Sequence, residues 1–299
     1  MTSNRLHLLA LPGFAALFGA GLLTATSQDA AAVDGTPLAG SVSYLVAPRG
    51  GNMSVQTGPQ GVLLVDDNFA DTASGIEAAI EELGGGQLAY VLNTHWHGDH
   101  SGGNAHFATK ATLLSHTNVR RRLSGDSTIG GRVGRSPGEE ALPMLTYDGE
   151  MRLHFNGEEI RVLHPGPAHT DGDSIVWFTG SNVVHMGDVF FNSGYPFIDL
   201  DSGGDVEGII EACRMVLDLV PEDARVVPGH GDATDYAGLE AYADMVEDSL
   251  AAVRRGLAEG KTGPELVEAG ILDQFQERWD GGFINQEAWI RSLVQYASR

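Results

Sequence analysis

One short run constrains this chain more than any other: Asn93-Thr94-His95-Trp96-His97-Gly98-Asp99-His100-Ser101-Gly102-Gly103, placed directly behind the apolar stretch Leu88 to Leu92. That stretch reads as a buried strand, so the run is a loop at a strand end, where a rigid scaffold presents side chains. Four groups able to bind metal fall within six residues, in a chain holding 11 histidines among 299. In an extended segment side chains two apart point the same way, so His95 and His97 can grip one ion together. Asp99 continues that face, His100 points off it, and a turn at Gly98 lets both reach a second ion. Imidazoles with a carboxylate favour zinc, with iron, manganese or cobalt as alternatives.

Three later positions complete the set. His169 sits in the loop Gly166-Pro167-Ala168-His169-Thr170-Asp171-Gly172-Asp173, Asp188 where His185-Met186 ends an apolar run, and His230 in Val227-Pro228-Gly229-His230-Gly231. All three fall at expected strand ends. An acid or imidazole flanked by apolar strand residues is costly if unpaired, and a bound cation removes that cost.

Around these loops the chain reads as two β-rich halves, each trailed by helices. Strands are expected at Ser41 to Val46, Met53 to Gln56, Gly61 to Val65 and Ala111 to Leu114, with helices at Ala73 to Leu83 and Asn118 to Leu123. A Gly-rich irregular stretch runs to Pro143. Strands follow at Met151 to Phe155, Ile160 to Leu163, Ser174 to Phe178 and Asn182 to Met186, then helix Val206 to Leu219 and strand Arg225 to Val227. Helices Leu239 to Leu257 and Glu287 to Ala297 close the chain. Two such halves imply two packed sheets with helices outside.

Residues 6 to 25 carry no charged side chain, follow Arg5, and lead into Ala25 and Ser27. This is the layout of a secretory signal peptide, so residues 1–27 are expected to be removed, residues 28–40 to form a short lead-in, and 41–299 a single domain. The protein is then secreted or periplasmic and off the membrane. Cys213 is alone, which excludes an internal disulfide, and its apolar helical setting reads as buried. With 40 acidic against 18 basic residues, net charge -22, an extended cationic track for nucleic acid is excluded.

The pattern His-x-His-x-Asp-His, followed by His, Asp and His at strand ends, resembles the metallo-β-lactamase superfamily over about residues 40 to 297. The resemblance implies an α/β fold, the four-layer αββα metallo-β-lactamase sandwich, with two zinc ions at one edge. It assigns His95, His97 and His169 to one ion, Asp99, His100 and His230 to the other, and Asp188 to both. A hydroxide shared by the metals would attack an activated carbonyl in a lactam, lactone, ester or thioester, with Asp99 orienting it or accepting its proton. The best-known antibiotic-hydrolysing members carry Cys or Ser where this chain has Asp188; a bridging Asp is similar to glyoxalase II and the lactonases. Export and the few basic residues after 231 argue against a glutathione substrate. The expected activity is therefore β-lactamase-like, weak or promiscuous, on a small-molecule substrate. Lactonase, esterase or glyoxalase II-like thioesterase activity is the alternative; a mono-iron persulfide dioxygenase-like oxidoreductase and a metal-binding protein without turnover lie further off. The oligomeric state stays open.

For substrate contacts the candidates are Arg132 and Arg135, within a cluster of six basic residues spanning 110 to 135 that also reads as a solvated helix face, and Tyr195 and Phe197. His185 and His164 are candidates for supporting the ligands from behind, and Trp96 for packing beneath them.

Overall fold

A computed structural model describes residues 32–125, 127–129, 132–134 and 136–299. The expected signal peptide, residues 1–27, lies outside the described residues.

The first sheet runs in the order β1 (Asp34–Ala39), β2 (Val42–Val46), β3 (Met53–Gly58), β4 (Gly61–Val65), β5 (Leu88–Asn93), β6 (Thr112–His116) and β9 (Leu145–Tyr147), with α1 (Ala73–Glu82) crossing from β4 to β5. Strands β1 to β4 are antiparallel neighbours, whereas β4, β5, β6 and β9 run parallel. Short helices α2 (Gly98–Ser101), α3 (Asn104–Phe107) and α4 (Thr117–Leu123) and the hairpin β7 (Ser127–Ile129) with β8 (Arg132–Gly134) fill the connections. The second sheet has the order β10 (Glu150–Phe155), β11 (Glu158–Leu163), β12 (Ile175–Phe178), β13 (Val183–His185), β14 (Arg225–Val227) and β15 (Thr234–Asp235). The remaining helices are α5 (Val206–Leu219), α6 (Tyr236–Ala258), α7 (Gly263–Glu268), α8 (Gln276–Trp279) and α9 (Gln286–Ala297).

The sequence of β4, Gly-Val-Leu-Leu-Val, shows why these strands read as continuous apolar runs. Leu63 and Val65 point toward the second sheet, where they meet Ile160, Val176 and Phe178. Val62 and Leu64 point the other way and pack on Ile76, Ala79 and Ile80 of α1. A parallel strand covered on both faces has no polar side to alternate with. The outer face of the second sheet, including Ile175, Val184 and Val226, is covered by α5, α6 and α9 through Val216, Leu239, Val246 and Trp289. Helix, sheet, sheet and helix therefore stack as the four expected layers. Cys213 is fully buried in that last interface, and burial pushes its thiol up to about 12.

The structure departs from the sequence reading in its small elements. Residues 34–39, within the expected lead-in, form the edge strand β1; Gly35 and Pro37 hide it, because proline is tolerated where a strand has a free edge. The stretch expected as irregular before Pro143 contains the β7–β8 hairpin, and the loop after His97 is helical at α2.

Candidate metal centre

The loops that matter all leave the same end of the two sheets. His95 and His97 follow β5, Asp99 and His100 lie on α2, His169 precedes β12, Asp188 follows β13 and His230 follows β14. Two donor groups result: His95, His97, His169 and Asp188, all buried, and Asp99, His100 and His230 beside them. Asp188 joins the groups, with Oδ2 3.5 Å from His169 Nε2 and 3.8 Å from His95 Nε2, and Oδ1 3.0 Å from His100 Nε2 and 3.4 Å from His230 Nε2. The structure thus brings together all seven donors singled out in the sequence.

The outer nitrogens of these rings are already engaged, which settles how the inner ones face. His169 Nδ1 donates to the Phe197 carbonyl at 2.8 Å, His97 Nε2 to Asp199 Oδ2 at 2.9 Å, and His100 Nδ1 to Asp66 Oδ2 at 2.7 Å. The Thr94 hydroxyl donates to Asp66 at 2.7 Å and accepts from His95 Nδ1 at 3.1 Å. The second nitrogens, His95 Nε2, His97 Nδ1, His100 Nε2 and His169 Nε2, are all aimed inward; His97 Nδ1 and His169 Nε2 approach to 2.9 Å. His95 Nε2, His100 Nε2 and Asp188 Oδ1 are buried without a hydrogen-bond partner. Buried polar atoms without a hydrogen bond are costly in this number, and divalent cations taking the place of the histidine protons satisfy them, so the residues present fit the metals that the pattern implies.

Electrostatics point the same way. Burial holds His95 well below the usual histidine range and His169 down to about 4, so both are neutral donors. Burial acts against charge on His100 and His230 too, but Asp188 beside both outweighs it, with Asp66 and Asp99 adding to the effect on His100; His230 is raised to about 9 and His100 well above its ordinary value. The carboxylates gain reciprocally. Burial alone would raise them, yet His100 and His230 hold Asp188 far below the usual range and Asp99 at about 2.

Two supporting acids escape a reading of the sequence. Asp66 follows β4 with φ 62°, a left-handed conformation that Asp tolerates better than bulkier residues, and its fully buried carboxylate takes hydrogen bonds from the Thr94 backbone, Thr94 Oγ1 and His100. Asp199 opens the turn Leu200–Ser202 and caps it through Ser202 N while holding His97. Glycine permits the close packing. A Cβ on Gly229 would stand 2.0 Å from Asp188 Oδ1, and one on Gly51 2.1 Å from His100 Cε1.

Of the two histidines expected behind the ligands, His185 touches Ser54 Oγ at 2.9 Å and lies 3.6 Å from Asp66, one step further out than expected. His164 does not touch a donor side chain: it stacks on His116 at 3.8 Å and bonds the Asp173 carbonyl, because its strand ends before the His169 loop turns inward. Asp173 shapes that turn through Thr170, and Asp171 pairs with Arg121 and Arg122. Trp96 packs with Val119, Leu123 and Leu142 against the His97 ring.

A pocket of about 570 Å³ opens over Asp99, Asp188, His97 and His230, walled by Phe69, Phe191, Tyr195, Phe197, Phe283 and Ile284. Tyr195 and Phe197, singled out in the sequence, line this pocket. Arg135 and the side chain of Arg132 lie outside the described residues. Lys110, Arg120, Arg121 and Arg122 reach Glu77, Pro143 O and Asp171 instead of the pocket. Among the described residues the cation at the pocket is Arg49, over the Phe69 ring at 4.1 Å and paired with Asp71 in an exposed contact.

Comparison with known proteins agrees with the geometry. Residues 46–230 match the family model described as the metallo-beta-lactamase superfamily. A hydroxyacylglutathione hydrolase of Nitrosococcus oceani is 30 % identical over 51 % of this chain and 52 % of its own length, so the chain spans about half of that relative. Another, from Anaeromyxobacter dehalogenans, is 31 % identical over 66 % of each chain. Among solved structures, a metallo-beta-lactamase from Pontibacter korlensis superposes with a TM-score of 0.60 at 16 % identity, covering 72 % of this chain and 99 % of that one. The DIM-1 metallo-beta-lactamase gives 0.59 at 19 % identity, over 72 % and 97 %. These two likenesses concern the fold.

Proposed function

The chain belongs to the metallo-β-lactamase superfamily of metal-dependent hydrolases, and we propose that within it the chain is an exported dinuclear zinc enzyme with β-lactamase-like activity on small cyclic substrates bearing one carboxylate. The observation that carries this reading is the pocket: aromatic walls and, among the described residues, the guanidinium of Arg49 above a floor of donor side chains.

Bound together, two zinc ions would supply a water of lowered pKa and polarise the substrate carbonyl. The chain's own residues do the rest. Asp188, charged and buried between the donor groups, fixes their spacing. Asp99, held at about 2, is a weak base, so it orients a water by accepting its hydrogen bond better than it stores its proton. Arg49 shares its exposed ion pair with Asp71; such a pair contributes little and yields readily to a substrate carboxylate. The aromatic walls take the apolar body of the substrate and exclude water from the floor.

A thioesterase reading is favoured by the hydroxyacylglutathione hydrolases among the relatives. Glutathione, however, carries two carboxylates, and five of the six basic residues after 231 have other partners: Arg254 with Glu207, Lys261 with Glu259, Arg291 with Glu287, Arg299 with the Leu200 carbonyl, and Arg278 over Trp279. A panel on zinc-loaded protein decides between them, with a chromogenic cephalosporin, a carbapenem, acyl-homoserine lactones, aryl esters and a glutathione thioester. Cephalosporin turnover above the thioester supports the proposal; turnover of the thioester alone replaces it. Export is tested by the N-terminal mass of protein recovered from the periplasm or medium, where intact Met1 would refute removal of residues 1–27.

A further inference from the structure

We propose that the segment Trp279 to Asn285 is the specificity wall of this site, and that the Phe283 ring receives the aryl or alkyl portion of the substrate lying beyond its scissile carbonyl. The proposal rests on the hydrolase reading above and deepens it. Phe283 lines the pocket yet is 91 % exposed. A phenyl ring kept in water forgoes the gain that burial brings, so the exposure needs a reason.

Looseness of the loop is not that reason. Tyr195 N donates to the Trp279 carbonyl at 3.0 Å, Tyr195 and Ile284 form a bridge, and Gln286 N donates to Asp280 Oδ1 at 2.5 Å. Gly194 and Gly282 are pressed together so closely that a Cβ on Gly194 would lie 2.8 Å from the Gly282 backbone. Trp279 is buried against Tyr242. The segment is pinned at both ends, and its exposed ring is presented toward the pocket that Phe69 and Phe197 also line. An apolar group entering that pocket covers all three.

The family match ends at residue 230, whereas this wall comes from residues 279–285. The donor floor lies within the matched region and the wall outside it, and the wall is where substrate choice is expected to reside.

The test is calorimetric binding of 4-phenylbutyrate, which is not hydrolysed, to the zinc-loaded full chain and to Phe283→Ala and Phe283→Leu. The wild type is expected to bind, Phe283→Ala to weaken binding about tenfold, and Phe283→Leu to restore part of it. Equal affinity in wild type and Phe283→Ala overturns the proposal, as does a wild type that does not bind. No turnover is needed, so a panel without hydrolysis alongside a Phe283-dependent affinity would remove the β-lactamase-like reading and leave the wall standing. In turnover, the ratio of kcat/KM for phenylacetyl over acetyl esters should fall about tenfold in Phe283→Ala.

Discussion

Replacing Asp199 by Asn should weaken the metal site without unfolding the protein. Asp199 Oδ2 accepts the His97 Nε2 proton at 2.9 Å, and both groups are buried, the carboxylate at 2 % exposure. That hydrogen bond fixes the tautomer that leaves His97 Nδ1 facing inward, and its negative charge makes the ring a better donor. Burial would raise the Asp199 pKa, but the His97 hydrogen bond lowers it, so the group is an anion at neutral pH. Asparagine keeps the shape and one acceptor oxygen but removes the charge. A charge-assisted hydrogen bond contributes about 1.5 to 3 kcal/mol, and tenfold in affinity is about 1.4 kcal/mol. Zinc affinity should therefore fall about 10- to 100-fold, the range expected for an outer partner of a metal-bound histidine. The backbone bond from Asp199 N to the His169 carbonyl is untouched and asparagine still offers His97 an acceptor, so the metal-free protein should stay folded, destabilised by no more than about 3 kcal/mol. The assay is competition for zinc against a chromogenic chelator at pH 7.5, with urea unfolding of the metal-free protein as control. An affinity within about twofold of wild type would refute the argument that Asp199 sustains the site.

Other consequences follow from the same geometry. Gly229→Ala drives a methyl group into Asp188 Oδ1 and the Gly187 backbone; it should cost about 1 to 3 kcal/mol of stability and lower zinc stoichiometry, and unchanged values in calorimetry and metal analysis would contradict the packing. Because the folded-state pKa values of His230 and His100 are both raised, their stabilising charge is fully present below the unfolded value near 6.5 and is lost as pH rises through the folded values, about 9 for His230. Metal-free protein should accordingly lose stability between these pH values, and zinc binding at pH 7.5 should release about two protons from the pair, measured by titration in weak buffer; binding without proton release would refute it. The Cys213 thiol, buried and raised to about 12, should react with Ellman's reagent only after denaturation, and reaction in the native state would show that the helix interface opens.

The metal donors were legible because their signal is local. His95, His97, Asp99 and His100 crowd one loop, His169 sits in a Gly and Pro loop between two strands, and Asp188 and His230 each follow an apolar run where a strand end explains a polar residue. The layered fold was legible from the same runs, since β4 and β5 are apolar on both faces. Asp66 and Asp199 were not, because they are two acids among 40 and acquire meaning only by approaching Thr94, 28 residues on, and His97, 102 residues back. Arg49 and Phe283 were hidden for the same reason, since a pocket wall is assembled from distant loops. Strand β1 and helices α2, α7 and α8 are too short or too polar to impose a period.

The central claim is a pair of metals held by seven side chains joined through Asp188. Native mass spectrometry of the chelator-treated full chain during zinc titration tests it directly. The account predicts two successive zinc increments per folded chain, with both lowered in occupancy by Asp188→Ala. Saturation at one ion, or a chain that takes up one iron and refuses zinc, would contradict it.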